Sequence, residues 1–259
     1  MVPGPRAIAT AAVGFGYFGV GSVLCSWVVL PLATAGLRDP DEAVRRSQRV
    51  VSWGFRSFHA VIRATGRFAY HPDAAGLARP EGPCVMVSNH PTLIDVTALL
   101  ATLVHGCTVV RHDLYRSVFW SSLMRRVGNI DAGDGGVMAG GAVIPEALDR
   151  LRRGHPVLMF PEGSRSPAGG LRRFRKGAFE VACRAGVPVV AYYVSVDPPT
   201  LTKGTRWYAL SPEPSVMTVE LLGRFEPEDH GSDPARLLAA VEACYRDRLA
   251  RWREARQKV

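Results

Sequence analysis

A histidine and an aspartate five positions apart, His90 and Asp95, are the pair in this chain best suited to general-base chemistry. They lie in Ser88-Asn89-His90-Pro91-Thr92-Leu93-Ile94-Asp95, where a short apolar run, Cys84–Val87, gives way to a helical pattern over Thr92–Leu103. Pro91 suits the first helical position, because its missing N–H would have no partner there and its φ is already helical. His90 then falls at the helix cap. Residues five apart on a regular helix point roughly 140° away from each other, so a histidine inside the helix could not meet Asp95. One just outside it can fold back over the first turn, donate an Nδ1–H hydrogen bond to the carboxylate and leave Nε2 as an oriented base. In isolation the pair also fits a solvated histidine beside an acidic residue favoured by the helix dipole. A short motif of this kind needs a confirming context.

A second stretch, Phe160-Pro161-Glu162-Gly163-Ser164-Arg165-Ser166, follows another apolar run, Val157–Phe160, and so also sits at a strand end. Proline, glycine and small polar residues make a loop with exposed backbone N–H groups, and Arg165 adds a fork of donors matched to phosphate. An ordinary turn is the competing reading. Gly163-Ser164-Arg165-Ser166-Pro167 fails the G-x-S-x-G pattern at its last position, which leaves a serine nucleophile of that type unsupported. Five dispersed cysteines, Cys25, Cys84, Cys107, Cys183 and Cys244, form no C-x-x-C pair. They read as small buried apolar residues in a reducing compartment, with neither disulfide framework nor zinc site, and no metal is expected.

Together the two stretches resemble the glycerophospholipid (lysophospholipid) acyltransferase family, typified by 1-acylglycerol-3-phosphate O-acyltransferase, whose first motif is N-H-x4-D and whose third is F-P-E-G-T-R-S. Here they read Asn89 to Asp95 and Phe160 to Ser166, with Ser164 in place of threonine. Phe174-Arg175-Lys176-Gly177-Ala178-Phe179 and Val187-Pro188-Val189-Val190 also look like family segments, and the resemblance runs from about residue 12 to about 226. It implies transfer of an acyl group from acyl-CoA or acyl carrier protein to the hydroxyl of a lysophospholipid-like acceptor in phospholipid biosynthesis, with no cofactor beyond the donor. It also implies His90 and Asp95 as the catalytic pair, with Asn89, Glu162, Gly163, Ser164, Arg165, Arg111 and Lys176 at the substrate. Two departures stand out: Arg111 replaces the lysine of many members, and Gly128-Asn129-Ile130-Asp131-Ala132-Gly133-Asp134 carries Asp134 where the second motif has an arginine assigned to acceptor phosphate. The missing arginine argues against a simple lysophosphatidate acceptor. A lipid esterase and a non-catalytic lipid-binding relative remain as alternatives.

The elements that must position these residues read as an α/β domain with a mixed, mainly parallel sheet flanked by helices. Strand-like runs fall at Cys84–Val87, Cys107–Arg111, Pro156–Phe160, Val187–Val194 and Val216–Leu222, and helical patterns at Thr92–Leu103, Val118–Arg126, Val143–Arg153 and Lys176–Ala185. Gly154 and Gly186 are placed as helix stops. Both motifs then lie in strand-end loops, where such sheets bind ligands. Gly133–Gly141 reads as a flexible loop, since it lacks the Lys-Ser/Thr of a P-loop. Arg172, Arg173, Arg175 and Lys176 form a basic cluster suited to CoA phosphates, an acidic carrier protein or anionic headgroups, or simply a solvated face. No role follows for Asp197–Gly204, and the arginine-rich helix from Asp233 onward reads as solvated surface.

The chain of 259 residues is 47% hydrophobic, enough to bury a large core as a single α/β domain. A net charge of +9 and a pI near 9.7 imply an anionic partner. Ala7–Leu37 contains no charged residue and as helix would span ~46 Å against a hydrocarbon core of ~30 Å. It is long enough to cross a bilayer, although Pro31 should end or kink it and a re-entrant hairpin or a signal peptide cut after Ala33-Thr34-Ala35 compete. Arg38, Arg45, Arg46 and Arg49 then place the rest on the cytoplasmic side of the cell membrane. Arg56, Arg63 and Arg67 share one helical face in Val50–Phe68, as in a helix lying among headgroups, or else packed on its own domain. The expected organisation is an anchor and interfacial helix over 1–70 and a catalytic domain over 71–259, with membrane lipid and the acyl donor as partners and no nucleic acid.

Overall fold

The computed structural model describes residues 5–257 apart from 72–76, 78–79, 135–141, 207, 209 and 212. Most of the glycine-rich run ending at Gly141 therefore lies outside the described residues. Seven strands form one sheet in the order β1-β7-β6-β2-β5-β3-β4. These are β1 (Phe68–Ala69), β2 (Val85–Ser88), β3 (Cys107–Val110), β4 (Ile130–Asp131), β5 (Val157–Met159), β6 (Val189–Asp197) and β7 (Ser215–Phe225). Pairing is parallel except between β6 and β7, which run antiparallel with a bulge at Ala191/Tyr192.

β2 sits mid-sheet, and its side chains alternate between the two faces as a strand requires. Val85 and Val87 enter a core shared with Ala147, Ala178, Phe179, Leu237 and Tyr245, while Met86 enters the opposite one with Phe58, Ile62, Ala98 and Leu99. Helices α7 (Val143–Arg152), α8 (Gly177–Ala185) and α9 (Pro234–Gln257) cover the first face, and α3 (Pro40–Ala64) and α4 (Asp95–Leu103) the second. Gly186 caps α8 at φ 61°, and Gly154, at φ 79°, follows the end of α7, so both expected stops are present. Short helices α5 (His112–Arg116) and α6 (Ser121–Arg126) connect β3 to β4.

The apolar N-terminus is one helical rod, Ala7–Thr34, the single helix among the described residues that is long and apolar enough to cross a membrane. It comprises α1 (Pro5–Leu24), a π turn (Cys25–Val29) and α2 (Leu30–Thr34). Pro31 cannot donate to the carbonyl of Trp27 and its ring crowds that oxygen, so the helix widens just ahead of it and continues instead of ending. Gly14 lets α1 approach α3: a Cβ there would stand 3.1 Å from Ile62. Phe15 and Phe18 pack on the α3–α4 face.

Of the two readings of Val50–Phe68, among headgroups or packed on its own domain, the structure shows the packed one. α3 buries Ser47, Gln48, Val51, Ser52, Phe58, His59 and Ile62, and Arg56 Nε donates to Ala101 O at 2.9 Å near the end of α4. Arg67 lies beyond the helix and donates to Ser211 O. Residues 40–64 are thus part of the body that carries the site.

Candidate active site

β2 and β5 end side by side, with Val87 opposite Met159, so the two loops singled out from sequence leave the same carboxyl edge of the sheet as neighbours. The first does not run straight into a helix. α4 begins at Asp95, three residues later than expected, and Pro91 precedes a bend over residues 92–94. Thr92 explains the delay: its N–H and hydroxyl donate to the two Asp95 oxygens at 2.9 and 2.6 Å, and its Oγ1 accepts from Ile94 N. Such side-chain capture of local groups competes with helix. Asp95 is left fully buried at the first turn, where the helix dipole favours its charge.

Looping out before α4 brings His90 back over that turn. Nδ1 donates to Asp95 Oδ2 at 2.7 Å, and the ring lies on Phe160 with centroids 4.5 Å apart. The imidazole is 21% exposed, and Nε2 has no hydrogen-bond partner among the described residues. An aspartate fixing Nδ1–H leaves Nε2 as the proton acceptor, which is the arrangement a general base needs.

Asn89 and Glu162, both expected at substrate, are engaged inside the protein. Asn89 Nδ2 donates to Val194 O at 2.8 Å and its Oδ1 accepts from Val194 N at 2.7 Å, stitching the end of β2 to β6 where strand pairing stops. Glu162 is 2% exposed; Oε1 accepts from His90 N and Ser166 Oγ, and Oε2 accepts from Arg172 N. Ser166 N closes the link by donating to His90 O at 2.7 Å. Burial pushes the Glu162 carboxyl up, against the hydrogen bonds from Ser166, Arg172 and His90 that pull it down. Gly163 has φ 65°, where an L side chain is strained, and an added Cβ would stand 2.8 Å from Arg175 Cζ and displace that side chain, so this turn favours glycine.

The remaining expected residues divide. Arg165 Nη1 donates to Leu201 O and Thr202 O, and Lys203 Nζ reaches Ser164 Oγ at 2.9 Å, so the segment without an assigned role folds against the second loop. Lys203 is a site neighbour that sequence reasoning missed; a lone cation in turn residues 39 positions away gives no local signal. Lys176 is exposed beside α8. Arg111 lies on the same sheet edge but is spread on the surface, where Nε and Nη2 pair with Asp113 at 3.1 and 2.6 Å.

The segment from residue 71 to residue 195, which holds both loops, matches the family model described as Acyltransferase. Over residues 71–195 the chain is similar to the acyltransferase family. Among curated relatives it is 31% identical over 126 residues to the chloroplastic 1-acyl-sn-glycerol-3-phosphate acyltransferase BAT2 of Brassica napus, covering 47% of this chain and 36% of that one. It is 28% identical over 165 residues to the 1-acyl-sn-glycerol-3-phosphate acyltransferase of Escherichia coli K12, covering 63% and 65%. The chain therefore spans less than two thirds of the length of these relatives. The crystal structure of the 1-acyl-sn-glycerophosphate acyltransferase PlsC from Thermotoga maritima shares the fold, with a TM-score of 0.72 at 18% identity over 96% of this chain and 98% of that one.

The divergent second motif carries its own cluster. β4 supplies Asp131, and His112 stands between two carboxylates: Nδ1 lies 3.0 Å from Asp131 Oδ2 and Nε2 lies 2.8 Å from Asp134 Oδ1. The corner where the family has an arginine is acidic here.

Proposed function

We propose that this chain is a membrane-associated O-acyltransferase that moves a fatty acyl group from a thioester, acyl-CoA or acyl carrier protein, to the hydroxyl of a lysophospholipid-like acceptor. The observation that carries the reading is the 2.7 Å contact of His90 Nδ1 with a fully buried Asp95, on a loop tied by Glu162 and Ser166 to the Phe160–Ser166 corner. Nε2 of His90 takes the proton of the acceptor hydroxyl as its oxygen attacks the thioester carbonyl carbon. The C–S bond breaks as the tetrahedral adduct collapses, and the proton goes on to the departing thiolate. Oriented general-base help of this kind is worth about 10²–10⁴ in rate. Asp95 holds the ring and offsets the imidazolium charge without itself taking the proton.

The anionic part of the acceptor lies on the Arg165–Lys203 side of the mouth, away from Asp131 and Asp134, whose charges would repel it. Arg165 keeps guanidinium N–H groups beyond the one spent on Leu201 and Thr202. The helix Ala7–Thr34 anchors the enzyme in the cell membrane, with the catalytic body on the cytoplasmic face where both donors are found. Purified protein given an acyl-CoA and 1-acylglycerol-3-phosphate, or a lysophospholipid with another headgroup, tests the reading by product analysis. A diacyl product without matching release of free fatty acid is expected. Free fatty acid alone would assign an esterase, and neither product from any acceptor would assign a non-catalytic relative.

A further inference from the structure

α9 was expected to offer only solvated surface, but one of its faces lines a groove of about 550 Å³ against the tail of the Phe160–Ser166 loop. Arg246, Leu249, Ala250 and Arg253 recur on that face at helical spacing, and Arg172 and Arg173 stand across from them. The floor is apolar, from Pro167, Leu171, Leu249 and Ala250. Four guanidiniums thus surround an apolar floor, and the one lining carboxylate, Glu242, accepts from Arg246 Nη2 at 3.1 Å and leaves the other N–H groups of Arg246 to a ligand. The volume is in the range of small-molecule sites, typically about 300–1,000 Å³. Tyr245 fixes the helix there: its hydroxyl donates to Tyr192 O at 2.6 Å and lies 3.0 Å from Val87 O, beneath β2 and β6.

Two placements decide what would use it. The groove shares Pro167, Gly170 and Leu249 with a second recess that reaches Asn89, Pro91 and Thr92 on the His90 loop, so a trough runs from the catalytic loop to the arginines. The groove also lies on the α8–α9 side of the sheet, opposite the face on which Phe15 and Phe18 of α1 pack. A ligand held there would approach from water and extend an uncharged arm toward His90. We propose that the groove takes the phosphate-bearing nucleotide end of an acyl-CoA donor, the adenine on the apolar floor and the phosphates among Arg173, Arg246 and their neighbours. Guanidinium forks match phosphate oxygens, and the planar group also stacks on a base. The inference rests on the proposed acyl-transfer function and names the donor that it uses.

The test is the full-length protein carrying Arg173→Ala with Arg246→Ala. These two are chosen because Arg172 and Arg253 also brace backbone carbonyls of the loop, at Arg165 and Gly169. Calorimetry with adenosine 3′,5′-bisphosphate should show binding to wild type and at least about tenfold weaker binding to the double variant. KM for acyl-CoA should rise by a similar factor with kcat within about twofold, while KM for an acyl-pantetheine lacking the nucleotide stays put. Equal nucleotide affinity in both proteins, or no binding to wild type, overturns the proposal. So does a rise in KM for acyl carrier protein with none for acyl-CoA, which would assign the groove to a protein partner. Because binding needs no turnover, nucleotide affinity that is lost in the variant while wild type transfers no acyl group would sink the proposed function and leave the groove standing.

Discussion

At the scale of single residues, His90 is held by bonds of three kinds: its ring to Asp95, its N–H to Glu162 and its carbonyl to Ser166. Glu162→Ala would strip the acceptor from Ser166 Oγ and Arg172 N and one of two acceptors from His90 N, and a buried donor left unmet costs roughly 1–3 kcal/mol. We expect Glu162→Ala to lower acyl-transfer kcat by at least tenfold and to lower the unfolding midpoint. Glu162→Gln should lose less, since it keeps one acceptor, and denaturant titration alongside initial rates checks the order. Gly163→Ala should cost more activity than its one added methyl suggests, because the new Cβ would meet Arg175 in a turn at positive φ. The His90–Asp95 pair was legible in sequence because its five-residue spacing lies within one loop and turn. The positions of Asn89 and Glu162 were not, since their partners lie 105 and 72 residues away and only the sheet brings them close.

At the scale of elements, α3 carries a pH-sensitive contact. His59 is fully buried, its Nε2 lies 3.0 Å from Thr97 Oγ1, and its Nδ1 has no hydrogen-bond partner among the described residues. Desolvation pulls its pKa down to about 3, outweighing the bond at Thr97. A folded-state value below that of the unfolded chain, near 6.5, means the unfolded state takes up the proton first. Its contribution to stability is therefore present above pH 6.5 and is lost as pH falls toward 3. Denaturant midpoints for wild type should drop over that window, and His59→Phe should flatten the drop; an unchanged slope would contradict this account. Existence and type of the longer elements were legible from apolar runs and glycine stops, including α7 and α8. The start of α4 was misplaced because Thr92 diverts the chain to serve Asp95, a choice that the Pro91 signal hides. The two-residue strands Phe68–Ala69 and Ile130–Asp131 were missed for want of a period long enough to read.

At the scale of the whole molecule, most of the exposed large apolar side chains belong to the N-terminal rod. Val20, Trp27 and Leu32 of the N-terminal rod are 64%, 53% and 72% exposed, and Trp53, Val118 and Phe119 are exposed as well. Trp120 Nε1 donates to Ser22 Oγ at 2.7 Å and Leu123 N donates to Ser26 Oγ, so the segment bearing Val118 and Phe119 is docked on the N-terminal rod. Exposed apolar surface on this scale marks an interaction site. Lysines at Val20 and Trp27 would each cost about 2.5–3.5 kcal/mol near a bilayer centre. We expect Val20→Lys with Trp27→Lys to move the protein from the membrane to the soluble or aggregated fraction, and retention in the membrane after an alkaline wash would count against anchoring by this helix. The long uncharged run made the rod legible in sequence. Its continuity through Pro31 was not, because a proline marks a break without saying whether the helix ends or widens.

The most direct test of the central claim compares acyl-transfer rates of wild type, His90→Ala and Asp95→Asn, each shown to be folded by its thermal transition. Both variants should lose about 10²–10⁴ in kcat. If His90→Ala still turned over within about threefold of wild type, His90 would not be the base.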